Sequence, residues 1–196
     1  MSTGARPLRA DAQRNRDRLL EVAVHAFSDG GADVTLDAIA KQAGVGIGTL
    51  YRHFPTREAL VEATYRNELA RLCDAAGELL DAQRPEDALR SWMDRFVDYM
   101  TTKRGMAEAL RAVIASGGNP FAQSRDRLLA AITTLLTAGA KAGAVRSDIA
   151  PADVLASLSG VSLAAGEPTQ RVQAGRLLDL IMDGLRYRPT PPRSAD

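Results

Sequence analysis

The sequence predicts an all-α fold of about nine helices, and three observations predict it. Apolar residues make up 45% of the 196 residues, an ordinary globular share, with alanine and leucine dominant. They recur at helical spacing along most of the chain, while the period-two alternation of strands is hard to find. Punctuation by glycine and proline, at Gly30-Gly31, Gly44, Pro55, Pro85 and Gly117-Gly118-Asn119-Pro120, cuts the pattern into helix-length pieces.

Residues 1–10 read as a flexible basic arm, rich in small residues with Pro7, Arg6 and Arg9. The two arginines either reach a minor groove or merely solvate a tail. A first helix is expected from about Ala10 to Asp29. Leu20, Val24 and Phe27 lie on its inward face, and Arg14, Arg16 and Arg18 form an exposed charged face near its start. Cations there oppose the helix dipole, so any approach to phosphates must be supported by the charge of the nucleic acid.

Thr35 is a candidate N-cap for a second helix, whose face carries Leu36, Ile39, Ala40 and Ala43. Gly44 stands just past the last periodic residue, where a left-handed cap suits glycine, and Val45 plugs the turn. A third, short helix runs from about Ile47 to His53, and Pro55 biases Phe54 away from helical angles. Helix, glycine turn and helix form the geometry of a helix-turn-helix, whose second helix enters the DNA major groove.

Thr56 caps a long fourth helix reaching about Gln83, with Leu60, Val61, Leu69, Leu72, Leu79 and Leu80 apolar. Glu58 favours the dipole of its first turn. After Arg84-Pro85 a fifth helix extends to about Thr102 and carries the richest aromatic and methionine stripe: Leu89, Trp92, Met93, Phe96, Val97 and Met100. A sixth covers about Arg104 to Ser116 and a seventh about Phe121 to Ala142. The last two run from about Ala152 to Ala165, rich in small residues that permit close approach, and from about Gln170 to Tyr187. The tail over residues 188–196 is proline-rich and expected to be disordered.

The run AGVGIGTLYRHFPTREAL, within Val34 to Leu60, closely resembles the N-terminal DNA-binding domain of TetR-type transcriptional repressors. The specific part is the spacing of Gly44, Val45, Gly48, Thr49, Leu50, Tyr51, Phe54 and Leu60. One departure is Gly46, where the family often has a serine; glycine caps without a side-chain bond.

The resemblance implies a three-helix DNA-binding head over residues 11–56 and a larger ligand-binding and dimerisation domain over 57–187. It also implies a sequence-specific repressor, a homodimer on a palindromic operator of double-stranded DNA, released by a small-molecule effector. Tyr51 and His53 then look like phosphate contacts, and Thr49 like a phosphate or base contact. Thr35 looks like a phosphate contact at a helix N-terminus. Arg57 stands where the family usually has a lysine reaching a phosphate. Arg52 is the candidate for bidentate guanine reading, Ile47 for a thymine methyl, and Gly48 for close backbone approach. The last two helices, about residues 152–187, would pair with their copies.

Beyond about residue 70 the resemblance rests on architecture. Trp92, Phe96, Met100, Met106, Phe121 and Leu128 are candidate pocket walls, although an apolar stripe is also what any buried helix shows. They suggest an apolar small-molecule effector. Arg111 and Arg125 either pair an acidic effector or lie exposed.

Charge agrees with this division. The chain carries a net +1, with 8 basic and 6 acidic groups in residues 1–57 and 17 and 18 in the remainder, a modest basic excess on the head. An enzyme lacks a credible catalytic set: the histidines are His25 and His53, and there is no Cys/His metal spacing, P-loop or GxSxG run. No cofactor or metal is expected. The lone Cys73 excludes an intramolecular disulfide framework and reads as a small buried residue or a redox sensor. No apolar run approaches a transmembrane length of about 20 residues, and the N-terminus lacks a signal peptide, so a cytoplasmic location is expected. Two alternatives remain: a constitutive regulator or activator without an effector, and a helical ligand-binding module without DNA function.

Overall fold

A computed structural model of the chain describes residues 5–30, 34–165 and 168–186. Among them are nine α-helices and no strand: α1 (Ala5–Gly30), α2 (Leu36–Gln42), α3 (Ile47–His53), α4 (Arg57–Ala82), α5 (Pro85–Gly105), α6 (Ala107–Ala115), α7 (Ser124–Lys141), α8 (Pro151–Ala164) and α9 (Arg171–Arg186). A 3-10 turn, Pro168–Gln170, leads into α9. The all-α expectation therefore holds.

Three boundaries differ from expectation for physical reasons. α1 begins at Ala5, so residues 5–10 are helical rather than a flexible arm. Pro7 falls in the first turn, where backbone N–H groups have no intrahelical partner and proline removes nothing. Residues 1–4, the remainder of the expected arm, lie outside the described residues, as does the tail 188–196. α5 continues through Lys103 and Arg104 to Gly105, because cations complement the dipole at a helix C-terminus. α7 starts at Ser124 rather than Phe121, after Gln123 in a left-handed conformation (φ 62°). Phe121 is instead held edge-on to Tyr65, ring centroids 5.2 Å apart, with the Lys103 ammonium 4.5 Å from its centroid.

The chain forms two compact units. One comprises residues 1–70 with 102–122; the other comprises 71–101 with 123–196. The expected division after residue 56 placed the first half of α4 and all of α6 with the ligand-binding domain. In the structure both belong to the unit that holds the helix-turn-helix.

In the first unit, α1 packs on α2 and α3. Leu19, Leu20, Ala23 and Phe27 of α1 are buried against a core that includes Ile39, Leu50 and Leu60. The end of α5 also lies in this unit. A Cβ at Gly105 would fall 2.9 Å from the backbone and Cβ of Ser28, so the approach of α5 to α1 requires glycine.

In the second unit, α7 packs on α8 and α8 on α9. Leu89, Trp92, Met93, Ile132, Leu158 and Leu178 are fully buried. Arg90 donates to Asp179 (2.8 Å) and to the Gly175 carbonyl (3.2 Å), joining α5 to α9. Arg171 of α9 pairs with Asp94 (2.9 Å) and Asp98 (3.1 Å) of α5. The Arg146 N–H donates to the Leu185 carbonyl (2.8 Å), fastening the loop after α7 to the end of α9.

Candidate nucleic-acid interface

Local chemistry builds the helix-turn-helix. The Thr35 hydroxyl accepts the Ala38 N–H at 3.2 Å and caps α2. At the other end Gly44 has φ +64°. The Val45 N–H donates to the Ala40 carbonyl (2.9 Å) and the Gly44 N–H to the Lys41 carbonyl (3.1 Å). That pair of bonds is a Schellman cap, which satisfies two carbonyls otherwise left open. Gly46 caps α3 with its backbone carbonyl, accepting from Thr49 at 2.8 Å, and makes no side-chain bond. Phe54 leaves helical angles at φ −137° just before Pro55. The Thr56 hydroxyl then accepts the Ala59 N–H at 3.1 Å to start α4.

These caps leave α3 with two unlike faces. Leu50 is fully buried and fixes the helix to the head. Ile47 is 38% exposed and Tyr51 49% exposed. Gly48 and Arg52 are exposed, and Thr49 and His53 half-buried. The His53 ring is tilted on Phe54, centroids 6.1 Å apart. Thr35 is exposed beside the N-terminus of α2.

Arg57 differs from this group. Its Nη1 donates to the Val34 carbonyl, and its guanidinium stands 5.0 Å from the centroid of the Phe27 ring. Arg16, read from sequence as part of an exposed charged face, is half-buried, with its guanidinium 5.6 Å from the Phe54 ring centroid. It lines a groove between α1 and α4 with Glu62, Arg66 and Asn67. Helical spacing shows which face a residue occupies but not what faces it from another helix, so no sequence signal marked the Arg16–Phe54 contact. Arg14 and Arg18 remain on the outside, paired with Asp11 and Asn15.

The six candidate pocket residues are divided between the two compact units. Trp92, Phe96, Met100 and Leu128 belong to one compact unit, and Met106 and Phe121 to the other. Trp92 and Phe96 are buried, with ring centroids 5.9 Å apart. The Trp92 indole N–H donates to the Leu72 carbonyl at 2.8 Å. Phe121 is 37% exposed beneath Lys103. Arg111 and Arg125 are exposed. Cys73 is half-buried, and burial raises its thiol pKa above the ordinary value. Among the described residues no group of three or more His, Cys, Asp or Glu is placed to hold a metal ion. No described helix is long and apolar enough to cross a membrane.

A capped helix-turn-helix with an exposed second helix, carried on an all-α chain, defines a DNA-binding regulator. Comparison with known proteins agrees. Residues 19–64 match the family model for bacterial regulatory proteins of the tetR family. Residues 84–187 match the model for the SbtR-like transcriptional regulator C-terminal domain. The chain belongs to the TetR family of transcriptional regulators, which are DNA-binding transcription factors and not enzymes. It is similar to the TetR transcriptional regulator SCO0520 from Streptomyces coelicolor, with 56% identity, a TM-score of 0.85, and 89% of this chain and 99% of that one covered. It also resembles a TetR regulatory protein from Mycobacterium vanbaalenii, at 38% identity and a TM-score of 0.77, over 92% and 100% of the two chains. An HTH-type regulator from Staphylococcus aureus, SAUSA300_2515, is 38% identical over 63 residues. That match spans 32% of this chain and 34% of the relative's length.

Proposed function

We propose that this regulator is a repressor that binds a palindromic operator as a homodimer and is released by an apolar small molecule. The observation that carries the DNA side is the division of α3: Leu50 is fully buried while Ile47 and Tyr51 are exposed. One short helix reads too few base pairs for genomic specificity, and a symmetric dimer reading two half-sites about 34–36 Å apart is the general solution. In this reading Arg52 reads a guanine, Ile47 meets a thymine methyl and Gly48 admits the backbone. Thr35, Thr49, Tyr51 and His53 position the head on phosphates.

Dimerisation through about residues 152–187 is supported by apolar exposure on α8 and α9. Leu163 is 77% exposed, Val172 72% and Leu180 66%, apolar side chains that a second copy could cover. An effector would release the operator by binding more tightly to a dimer whose heads no longer match successive major grooves.

A second reading, a constitutive regulator without an effector, is favoured by the burial of Trp92 and Phe96 on one another. Selection of bound sequences from random duplexes, repeated with a metabolite library, separates the two. An enriched palindrome lost on adding a compound supports the ligand-released repressor. A palindrome insensitive to every compound supports the second reading, and no enriched palindrome overturns both.

A further inference from the structure

Arg57 is the first residue of α4, directly after its cap Thr56. From there its side chain turns to two other elements of the same compact unit. The face of the guanidinium covers Phe27, a fully buried residue near the end of α1. An N–H of Nη1 donates to the carbonyl of Val34. Val34 immediately precedes Thr35, whose hydroxyl and carbonyl accept the Ala38 and Ile39 N–H groups and begin α2. One side chain thus ties the end of α1, the start of α2 and the start of α4.

The chemistry suits arginine. A planar guanidinium stacks on a ring with its face while its rim donates in plane; a lysine ammonium is a point charge that reproduces only one of these at a time. A cation held by its face and its rim has little freedom left to follow a phosphate. Tyr51 and Arg52, by contrast, are exposed side chains of α3.

We infer that Arg57 is a positioning residue, which holds the start of α2 in place for DNA binding and does not itself neutralise a phosphate. The inference rests on the DNA-binding reading above, and it makes the reach of Thr35 to the backbone depend on Arg57. Removing Arg57 loosens the first turn of α2 before any DNA is present, and weakens operator binding through that turn.

The test uses the full-length protein and Arg57→Ala in two measurements. Amide hydrogen exchange at Ala38 and Ile39 is measured without DNA. The variant is expected to exchange several-fold faster at these two amides while the Phe54 amide, which donates to the Leu50 carbonyl in the same unit, is unchanged; equal rates at Ala38 and Ile39, or an equal acceleration at Phe54, overturn the inference. The dependence of operator affinity on salt is measured next. A lost phosphate contact lowers the slope of log K against log salt by about 0.9. The variant is expected to bind several-fold more weakly at every salt concentration with the wild-type slope, and a slope lower by about 0.9 overturns the inference. If the wild-type protein selects no duplex, the DNA-binding reading itself fails, and the exchange measurement still decides whether Arg57 holds α2.

Discussion

The indole N–H of Trp92 donates to the carbonyl of Leu72 across 2.8 Å, joining α5 to α4 inside one compact unit. Leu72 lies mid-helix, so its carbonyl serves its own helix and still offers a second lone pair. Trp92 is fully buried, and the bond satisfies the donor that burial would otherwise strand. Trp92→Phe removes both donor and volume and is expected to cost about 1–2 kcal/mol. The midpoint of urea unfolding measures it; an unchanged midpoint would mean that the bond contributes nothing net.

The exposed end of α3 separates positioning from reading. Tyr51→Phe removes a hydroxyl that can bond a phosphate oxygen, so it should weaken binding to all sequences alike. Arg52→Ala should relax the preference at one position of each half-site, by about 1–3 kcal/mol of discrimination. Repeating the duplex selection with each variant tests both. An unchanged preferred site with Arg52→Ala would remove Arg52 from base reading.

Leu180 of α9 is 66% exposed and lies beside Gln173, Arg176 and Leu177 on an open face. A charge there costs the isolated chain little, because the position is already solvated. Buried between two copies, the same charge carries a large desolvation penalty. Leu180→Asp should therefore shift the species seen by sedimentation from dimer to monomer and leave the helical circular dichroism intact. A wild-type chain that sediments as a monomer would refute the interface.

Burial holds the Cys73 thiol above its ordinary value of 9.0; Arg127 opposes the shift and Asp74 adds to it. The folded chain thus keeps this proton at a pH where the unfolded chain has lost it. Its contribution to stability is complete below about pH 9 and declines as pH rises through the raised folded value. Because the thiolate is the nucleophile, alkylation at mildly alkaline pH should be slower in the native protein than in urea. Equal rates by mass spectrometry would contradict this shielding.

Much of the head was legible in the sequence because its determinants are local. Thr35 caps a residue three positions on, and Gly44 permits a turn closed by bonds spanning three and five residues. Such contacts depend on near neighbours that the sequence displays directly. Helical periodicity likewise marks Leu50 as inward and Arg52 as outward, whereas Tyr51 is assigned to DNA only by the family motif around it, and its 49% exposure is decided by the fold.

The tertiary structure decided what lies across from each face. Arg57 donates to a carbonyl 23 residues earlier in the chain. Arg16 settles on Phe54, and Phe121 leaves the start of α7 to meet Tyr65. α6 joins the unit of the helix-turn-helix rather than the unit of α7 to α9. These outcomes turn on distant partners brought together by burial of apolar surface, which is non-directional and leaves no spacing rule in the sequence. Local capping and periodicity therefore determined the helices and their inward faces, while long-range packing determined which charged and aromatic side chains are held against the protein and which stay exposed.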